Sequence, residues 1–139
     1  WETGLLELLF TNTTFAGVGD ATGLPGAATA GSLYFSLHTS DPGEAGDQTT
    51  NECTYTSYAR VAVARSGSGW TVTGNAVAVD ANVTFPGGTG GSGTATHWGL
   101  GTASSGAGKL LYKGAISPTI VTGSGVTPQL TAGTAVTED

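Results

Sequence analysis

Turn-forming residues interrupt the apolar runs of this sequence at intervals of roughly eight to twelve residues. The chain has 24 glycines and only 10% charged residues, a composition typical of a protein rich in turns rather than in helices. Between the turns, Thr and Val are frequent, and β-branched residues favour strands. This spacing predicts an all-β fold, namely an antiparallel β-sandwich or jelly roll of about eight strands with a short N-terminal helix.

The first residues carry the one pattern typical of a helix. Thr3 is suited to cap it, and Glu7 complements the positive end of the helix dipole. The apolar residues are Leu5, Leu8 and Leu9 on one face, which Leu6 and Phe10 widen. A helix this short gains its stability from what it packs against, either the open end of the sheet core or a neighbouring subunit. We therefore treat these five residues as candidate partner-binding residues.

Residues 11–31 are rich in Thr, Gly and Ala, and Pro25 lies within a Gly-Leu-Pro-Gly turn. A connection of this length in a compact protein is usually functional or partly disordered, so we expect an arm that lies on a partner. The predicted organisation is a helix and extended arm over residues 1–31 and a β-sandwich, jelly-roll-like domain over residues 32–139. The 139 residues are enough for one buried core.

Two strand-like runs flank an acidic segment in the middle of the chain. In the first run, Leu33, Phe35 and Leu37 alternate with polar residues and predict a strand with one buried face. The second run, residues 60–65, contains Arg60 and Arg65, whose odd spacing places them on opposite sides of a strand.

The segment between these runs, residues 39–54, is predicted to be a surface loop because it combines carboxylates with Pro and Gly. Its carboxylates are Asp41, Glu44, Asp47 and Glu52. Hard cations take oxygen ligands from flexible loops, but the spacing here does not match an EF-hand, so we predict no metal site. A solvated loop and a surface that steers a basic partner both remain open, and we treat the four carboxylates as candidate partner-binding residues.

Catalytic interpretations of this sequence have little support. Ser36 and His38 share a strand face near Asp41, but no nucleophile elbow or oxyanion loop accompanies them. Cys53 with His97 is equally weak as a thiol nucleophile and base, because acidic neighbours would raise the thiol pKa. The glycine-rich residues 87–93 lack the Lys of a phosphate loop and are predicted to be a flexible link. We expect no catalytic residues, no cofactor and no enzymatic activity.

Aromatic side chains could stack on a carbohydrate, although in strands of an all-β protein they more often pack in the core. These residues are Tyr55, Tyr58, Trp70, Trp98 and Tyr112.

The net charge of −6 opposes binding to nucleic acid. The single cysteine excludes an internal disulfide. The apolar run Leu5–Phe10 is too short to span a bilayer and lacks the flanks of a signal peptide, so we expect no membrane association and synthesis in a cytoplasm.

Three stretches of the sequence resemble those of a known protein family. They are the pattern LHT-x-DPGEAG-x-QTTNE-x-x-Y-x-x-YARVAVAR at residues 37–65, HWGLGTASSGAGKLLYKGAI at residues 97–116, and residues 128–139. Together they resemble a family of small virion proteins of tailed bacteriophages, whose members are often labelled tail-fibre proteins. The chain also resembles a jelly-roll head decoration (cement) protein.

The resemblance implies a structural virion protein, made in the host cytoplasm, with no catalytic residues. Our first hypothesis is a cement protein on the outer surface of the capsid, where its partners would be the major capsid protein and further copies of itself as a dimer or trimer. The alternative is a tail fibre or adhesin module that binds a host surface glycan, which would need an exposed aromatic groove.

Overall fold

The computed structural model describes residues 1–19 and 22–138. Within these residues the chain has one helix and nine strands, and the sheets are antiparallel, which confirms the predicted all-β class with a short N-terminal helix. The elements are α1 (Glu2–Thr11), β1 (Ser32–His38), β2 (Val61–Ala64), β3 (Trp70–Thr73), β4 (Ala76–Val79), β5 (Val83–Thr84), β6 (Ser92–Gly101), β7 (Leu110–Gly123), β8 (Gln129–Leu130) and β9 (Ala135–Thr137).

The chain divides into two compact units. The smaller unit contains Trp1–Ser32, Val63–Asn82 and Thr131–Asp139, and the larger unit contains Leu33–Ala62 and Val83–Leu130. The helix and arm predicted over residues 1–31 are therefore grouped with β3, β4 and β9 in the smaller unit. The division falls within two strands, after Ser32 in β1 and after Ala62 in β2.

In the smaller unit, α1 packs on a three-stranded sheet of order β3-β4-β9. Leu6 and Phe10, one helical turn apart, are fully buried, and the Phe10 ring meets the Trp70 ring edge-on with centroids 4.8 Å apart. The buried face of the helix is thus centred on these two residues, and not on Leu5, Leu8 and Leu9 as predicted, which are only half-buried.

The predicted cap of the helix is wrong. The helix begins at Glu2, one residue before Thr3, and its N-cap position is Trp1, which makes no side-chain capping bond. The Thr3 hydroxyl instead donates a 2.6 Å hydrogen bond to the Gly74 carbonyl in the β3–β4 turn. Thr3 therefore ties the helix to the sheet.

Arg65 closes the C-terminal end of α1. Its guanidinium donates to the carbonyls of Leu9 (2.5 Å), Leu8 (2.7 Å) and Ala30 (2.9 Å). The last carbonyls of a helix have no partner within the helix and form the negative end of its dipole, so a cation here satisfies both needs. Asn12 follows in the left-handed conformation, at φ 58°, and ends the helix.

In the larger unit, the main sheet has the strand order β2-β1-β6-β7, and β5 pairs with β8. β1 and β6 are antiparallel, with Leu37 opposite Trp98. β1 was predicted to bury one face, but Ser36 and His38 are fully buried together with Phe35 and Leu37. The polar face tolerates burial because Ser36 and His38 hydrogen-bond to each other.

The glycine-rich segment 87–93 is not the flexible link that its composition predicts. Ser92 and Gly93 belong to β6, and Gly90 forms a bridge with Thr56. A Cβ on Gly88 would lie 2.1 Å from the Gly123 carbonyl oxygen, so the backbones here approach too closely for any side chain.

We expect Arg65→Met to lower the free energy of unfolding by about 2 kcal/mol, because carbonyls at the end of α1 lose their donors. Urea denaturation followed by circular dichroism measures this loss. Lys109→Met is the matched control, since Lys109 is exposed. Equal stability of the two variants would contradict this role for Arg65.

Candidate functional site

The main polar cluster of the larger unit is an ion pair between Glu52 and Arg60. Arg60 donates from Nε to Glu52 Oε1 at 2.7 Å and from Nη2 to Glu52 Oε2 at 2.8 Å, which is the bidentate geometry of a strong pair. The Arg60 side chain is 2% exposed and that of Glu52 is 16% exposed. The hydrogen bond to Glu52 raises the pKa of Arg60, so the guanidinium stays charged.

The pair organises three segments around it. The Tyr58 hydroxyl donates to Glu52 Oε1 at 2.8 Å and accepts from the Leu37 amide of β1 at 3.0 Å. Arg60 also donates to the carbonyls of Ala103 (2.9 Å) and Gly106 (2.8 Å). Burial raises the pKa of Tyr58, which keeps the phenol protonated and able to donate.

An open cleft lies beside this pair. Its far side is the loop Ser104–Gly106, whose serines are exposed. The charged atoms at its base are already bonded to each other, so the cleft offers hydroxyls and backbone groups rather than an activated nucleophile. Its chemistry is that of a polar contact surface.

The four candidate carboxylates do not converge on one point. Glu52 is committed to Arg60, while Asp41 and Glu44 pair with Lys113 of β7, with Nζ–O distances of 2.9 and 3.3 Å. Asp47 instead accepts from the Thr49 amide (2.7 Å) and hydroxyl (2.6 Å) and so closes a local turn.

These contacts set the protonation of the loop. The Gly43 amide and then Lys113 hold the pKa of Asp41 below its ordinary value, and the Thr49 hydroxyl and amide do the same for Asp47. Asp41 in turn raises the pKa of Lys113. Within residues 1–19 and 22–138, no three His, Cys, Asp or Glu residues are grouped so that they could hold a metal ion.

Ser36 and His38 lie together, but not as a catalytic pair. His38 Nδ1 is 2.8 Å from the Thr50 carbonyl, which can only accept, so Nδ1 carries the proton and Nε2 accepts from Ser36 Oγ at 2.8 Å. Both residues are fully buried, and the position of a triad acid is taken by the Thr50 carbonyl rather than by Asp41. Burial lowers the pKa of His38 and keeps it neutral.

Cys53 is a free cysteine and is buried. Burial, followed by the charge of Glu52, raises the pKa of its thiol to about 11. The imidazole Nδ1 of His97 lies 2.9 Å from the Thr96 hydroxyl. A thiol with this pKa is almost wholly protonated at neutral pH and is a poor nucleophile.

The aromatic side chains mostly pack inside the molecule. Trp70 and Tyr55 are each 2% exposed and Trp98 is 8% exposed, whereas Tyr58 and Tyr112 are half-buried. The Phe35 and Trp98 ring centroids are 5.8 Å apart. The three buried rings therefore contribute to the core and present no stacking surface for a sugar.

The candidate partner-binding residues of the helix differ in how deeply they are buried. Leu6 and Phe10 pack inside the smaller unit, so a partner reaches them only if the helix leaves its sheet. Leu5, Leu8 and Leu9 are half-buried. A contact between this helix and a partner stays a prediction and rests on these three residues.

Some structural polar residues were missed in the sequence. Gln48 is fully buried; its Oε1 accepts from the Ala103 amide at 2.9 Å, and a Cβ on Gly101 would lie 2.2 Å from its side chain. Lys113 was missed as the partner of Asp41, 72 residues away in sequence. A glycine facing a buried amide leaves no periodic signal, and neither does a pair so distant in the chain.

Comparison with known families gives the affiliation of the chain. The family described as podophage GP4 fiber I protein gp80 matches residues 2–137, nearly the whole sequence. The chain belongs to this family. As a member of the gp80 family it is a structural protein of a phage virion, as the resemblance implied. No curated protein matches the chain.

Within the described residues, no helix has the length and apolar character needed to cross a membrane.

We expect Glu52→Gln to lower the free energy of unfolding by about 3 kcal/mol, because it leaves a buried guanidinium without its counter-charge. Chemical denaturation measures this loss. The double variant Glu52→Leu/Arg60→Met is the informative control, since it removes both charges and should be more stable than Glu52→Gln. A double variant that is less stable than the single variant would contradict this explanation.

We expect acid to weaken the fold through His38. Since the pKa of folded His38 lies below its ordinary value of 6.5, the unfolded chain binds the proton first, and stability falls as pH drops below about 6.5. Urea denaturation at pH 7.5 and at pH 5.5 measures the loss, which is limited to about 1.4 kcal/mol for one proton over this range.

His38→Gln should be less stable than the wild type at pH 7.5 but should lose less stability on going to pH 5.5. His97→Gln controls for the loss of a histidine on the neighbouring strand. An unchanged pH dependence in His38→Gln would rule out His38 as the cause.

Proposed function

We propose that this chain is a non-enzymatic fibre component of a podophage virion, and that it works by holding contacts with other virion proteins. The observation that carries the proposal is the match of residues 2–137 to a family described as a podophage fiber protein. Because the match extends over both compact units, the proposal concerns the whole chain rather than one module.

The polar contacts support a role without catalysis. The groups that chemistry would need are occupied by structural bonds: Ser36 with His38, Glu52 with Arg60, and Asp41 with Lys113. Cys53 is buried, and its raised pKa leaves almost no thiolate at neutral pH. A protein with its reactive side chains bonded in this way acts through its surface.

The aromatic residues support a structural fibre protein over a glycan-binding adhesin. Recognition of a sugar by stacking needs an exposed ring, but Trp70, Trp98 and Tyr55 are buried. Trp1 is exposed, at 73%, and one side of its ring lies beside Phe15, with the centroids 5.3 Å apart. Host recognition would then belong to another protein of the particle, and this chain would connect or position it.

Head decoration is the second candidate. The resemblance of the chain to jelly-roll cement proteins and its antiparallel all-β fold favour this role. In this case the partner is the major capsid protein on the outer surface of the head, and many weak contacts repeated by symmetry would stabilise the shell.

Location and copy number on the particle separate the two candidates. Purified virions are imaged by cryo-electron microscopy, and this chain is quantified against the major capsid protein by mass spectrometry. We expect density on a fibre and a copy number far below that of the capsid protein. Density over the head, with a copy number at a simple fraction of the capsid protein or equal to it, would overturn the fibre proposal and establish decoration.

A further inference from the structure

Large apolar side chains are exposed next to one another on the smaller unit. Trp1 is 73% exposed and Leu24 is 41% exposed, and the half-buried Phe15 connects them. The Trp1 and Phe15 ring centroids are 5.3 Å apart. Phe15 and Leu24 form an antiparallel bridge, in which each amide donates to the carbonyl of the other residue at 2.9 Å. Residues paired in this way place their side chains beside each other, so the three side chains form one apolar surface, which we call the aromatic ridge.

The outer face of α1 extends the aromatic ridge. Leu5 and Leu8 follow Trp1 at spacings of four and seven residues, which places all three on one face of the helix. Leu6 and Phe10 face the sheet instead and are fully buried. Leu5 and Leu8 are only half-buried, so two of the leucines predicted to bind a partner lie on the same face as the exposed tryptophan.

Backbone contacts hold the aromatic ridge in place. The side-chain amide of Asn12 donates to the Ala27 carbonyl at 2.8 Å, and its Oδ1 accepts from the Ala27 amide at 2.7 Å. These two bonds join the ends of the segment that contains Phe15 and Leu24. A Cβ on Gly4 would lie 2.7 Å from the Phe15 ring, so the ring rests directly on the backbone of α1. A surface that is ordered before it binds avoids part of the entropy cost of association, which favours a role in binding.

Carboxylates flank the aromatic ridge. Glu2 follows Trp1, and its side chain is partly exposed. Its contact with the Trp1 amine, at 3.8 Å, is a long surface pair of little strength, which leaves Glu2 able to bind another cation. Glu7 lies three residues after Gly4, on the side of the helix where Phe15 packs. An apolar contact made here is therefore bordered by negative charge.

The charge of the whole smaller unit has the same sign. The unit has six acidic residues and one basic residue, a formal charge of −5. The acidic residues are Glu2, Glu7, Asp20, Asp80, Glu138 and Asp139, and the basic residue is Arg65. Arg65 is bonded to carbonyls at the C-terminal end of α1, away from Trp1. A second copy, a nucleic acid or an anionic membrane would be repelled by this charge, whereas a basic protein segment is attracted.

The tryptophan fits a cation as well. One side of the Trp1 ring lies beside Phe15, and most of the residue is exposed. An ammonium or guanidinium group is attracted to the face of an indole, and Glu2 supplies a carboxylate next to it. A neutral sugar would use the ring but would leave the acidic border and the leucines without complementary groups. The chemistry of the surface therefore fits a protein segment that carries Lys or Arg beside apolar side chains.

We propose that the aromatic ridge, together with Leu5 and Leu8, binds another virion protein through a segment in which Lys or Arg lies beside apolar side chains. The cation contacts the Trp1 ring and Glu2, and the apolar side chains cover Phe15 and Leu24. This inference rests on the proposed function in one respect, namely that the chain holds contacts with other proteins of the particle. It does not depend on whether the contact lies on a fibre or on the head.

Hydroxyl-radical footprinting tests whether the aromatic ridge is covered in the particle. Trp1 is exposed while Trp70 and Trp98 are buried, so oxidation of tryptophan in the folded chain reports on Trp1. We expect Trp1 to be oxidised in the purified full chain and protected in purified virions. Equal oxidation of Trp1 in both would overturn the proposal and leave the ridge open for a glycan.

Carbodiimide crosslinking of virions identifies the partner, because this reagent joins carboxylates to lysines. We expect crosslinks from Glu2 or Glu7 to lysines of a different virion protein. Crosslinks that reach only further copies of this chain would overturn the proposal in favour of self-association.

Leu24→Lys tests the contact by substitution, since it places a cation where a basic segment would bind. Val121→Lys is the matched control, because Val121 is also an exposed apolar residue, at 67%, and belongs to the larger unit. Phages encoding each variant are purified, and mass spectrometry counts the copies of this chain in each particle. We expect Leu24→Lys to lower the copy number roughly tenfold or more and Val121→Lys to leave it unchanged.

Thermal melting of the purified chains confirms folding of the variants. Trp1→Lys replaces Leu24→Lys if the latter does not fold, since Trp1 is the more exposed of the two residues. Incorporation of a folded ridge variant at the wild-type level would overturn the proposal. Failure here is distinct from failure of the fibre proposal: a ridge crosslinked to the major capsid protein upholds this inference and contradicts the fibre, whereas an open ridge on a chain located in a fibre does the reverse.

Discussion

The larger unit depends on one buried pair of opposite charges. Arg60 makes contacts with Glu52 and with two carbonyls of the loop before β7, and Tyr58 extends the network to the amide of Leu37. Neither charge is stable in this environment without the other, since the desolvation of an unpaired ion costs several kcal/mol. The pair therefore ties the apolar strand β1 to two segments that carry fewer apolar side chains, residues 52–60 and the loop before β7. A glycine-rich chain needs such polar anchors because its loops bury little apolar surface.

The smaller unit uses the same chemistry for a different purpose. Arg65 supplies donors to the C-terminal carbonyls of α1, while Leu6 and Phe10 supply the apolar contact with Trp70. A ten-residue helix is marginal by itself. Here it gains stability from the hydrogen bonds of Arg65 and from the apolar contact with Trp70. Of the four basic residues in the chain, three are engaged in contacts of this kind: Arg60, Arg65 and Lys113. Two of these contacts pair a cation with a carboxylate, Arg60 with Glu52 and Lys113 with Asp41, so they leave the net charge of −6 unchanged.

Much of the fold followed from local pattern, whereas the polar sites did not. Alternation identified β1 and β2, turn spacing identified the all-β class, and the leucine-rich start identified α1, because these signals arise between neighbours in sequence. The acidic loop was predicted correctly as a polar segment. Within it, Glu52 differs from the other carboxylates because it forms a buried ion pair with Arg60, and no local pattern marks this pair. Gly88 was predicted to lie in a flexible link, yet it faces backbone that leaves no room for a Cβ. Gly99 and Gly101 face buried polar side chains just as closely, and nothing in the sequence indicated this. Such requirements depend on contacts between distant segments and cannot be seen in a single sequence.

The burial of Cys53 has a practical consequence for work on this protein. Its thiol is shielded, and with a pKa of about 11 it offers almost no thiolate to a maleimide or a disulfide reagent at neutral pH. The natural chain is therefore nearly silent toward thiol labelling while it remains folded. A cysteine introduced at any exposed position would carry the label alone, without replacement of Cys53 and the loss of packing that this would bring. Fluorophores or spin labels can thus be placed on the intact protein, and reaction of Cys53 itself would report unfolding of the larger unit.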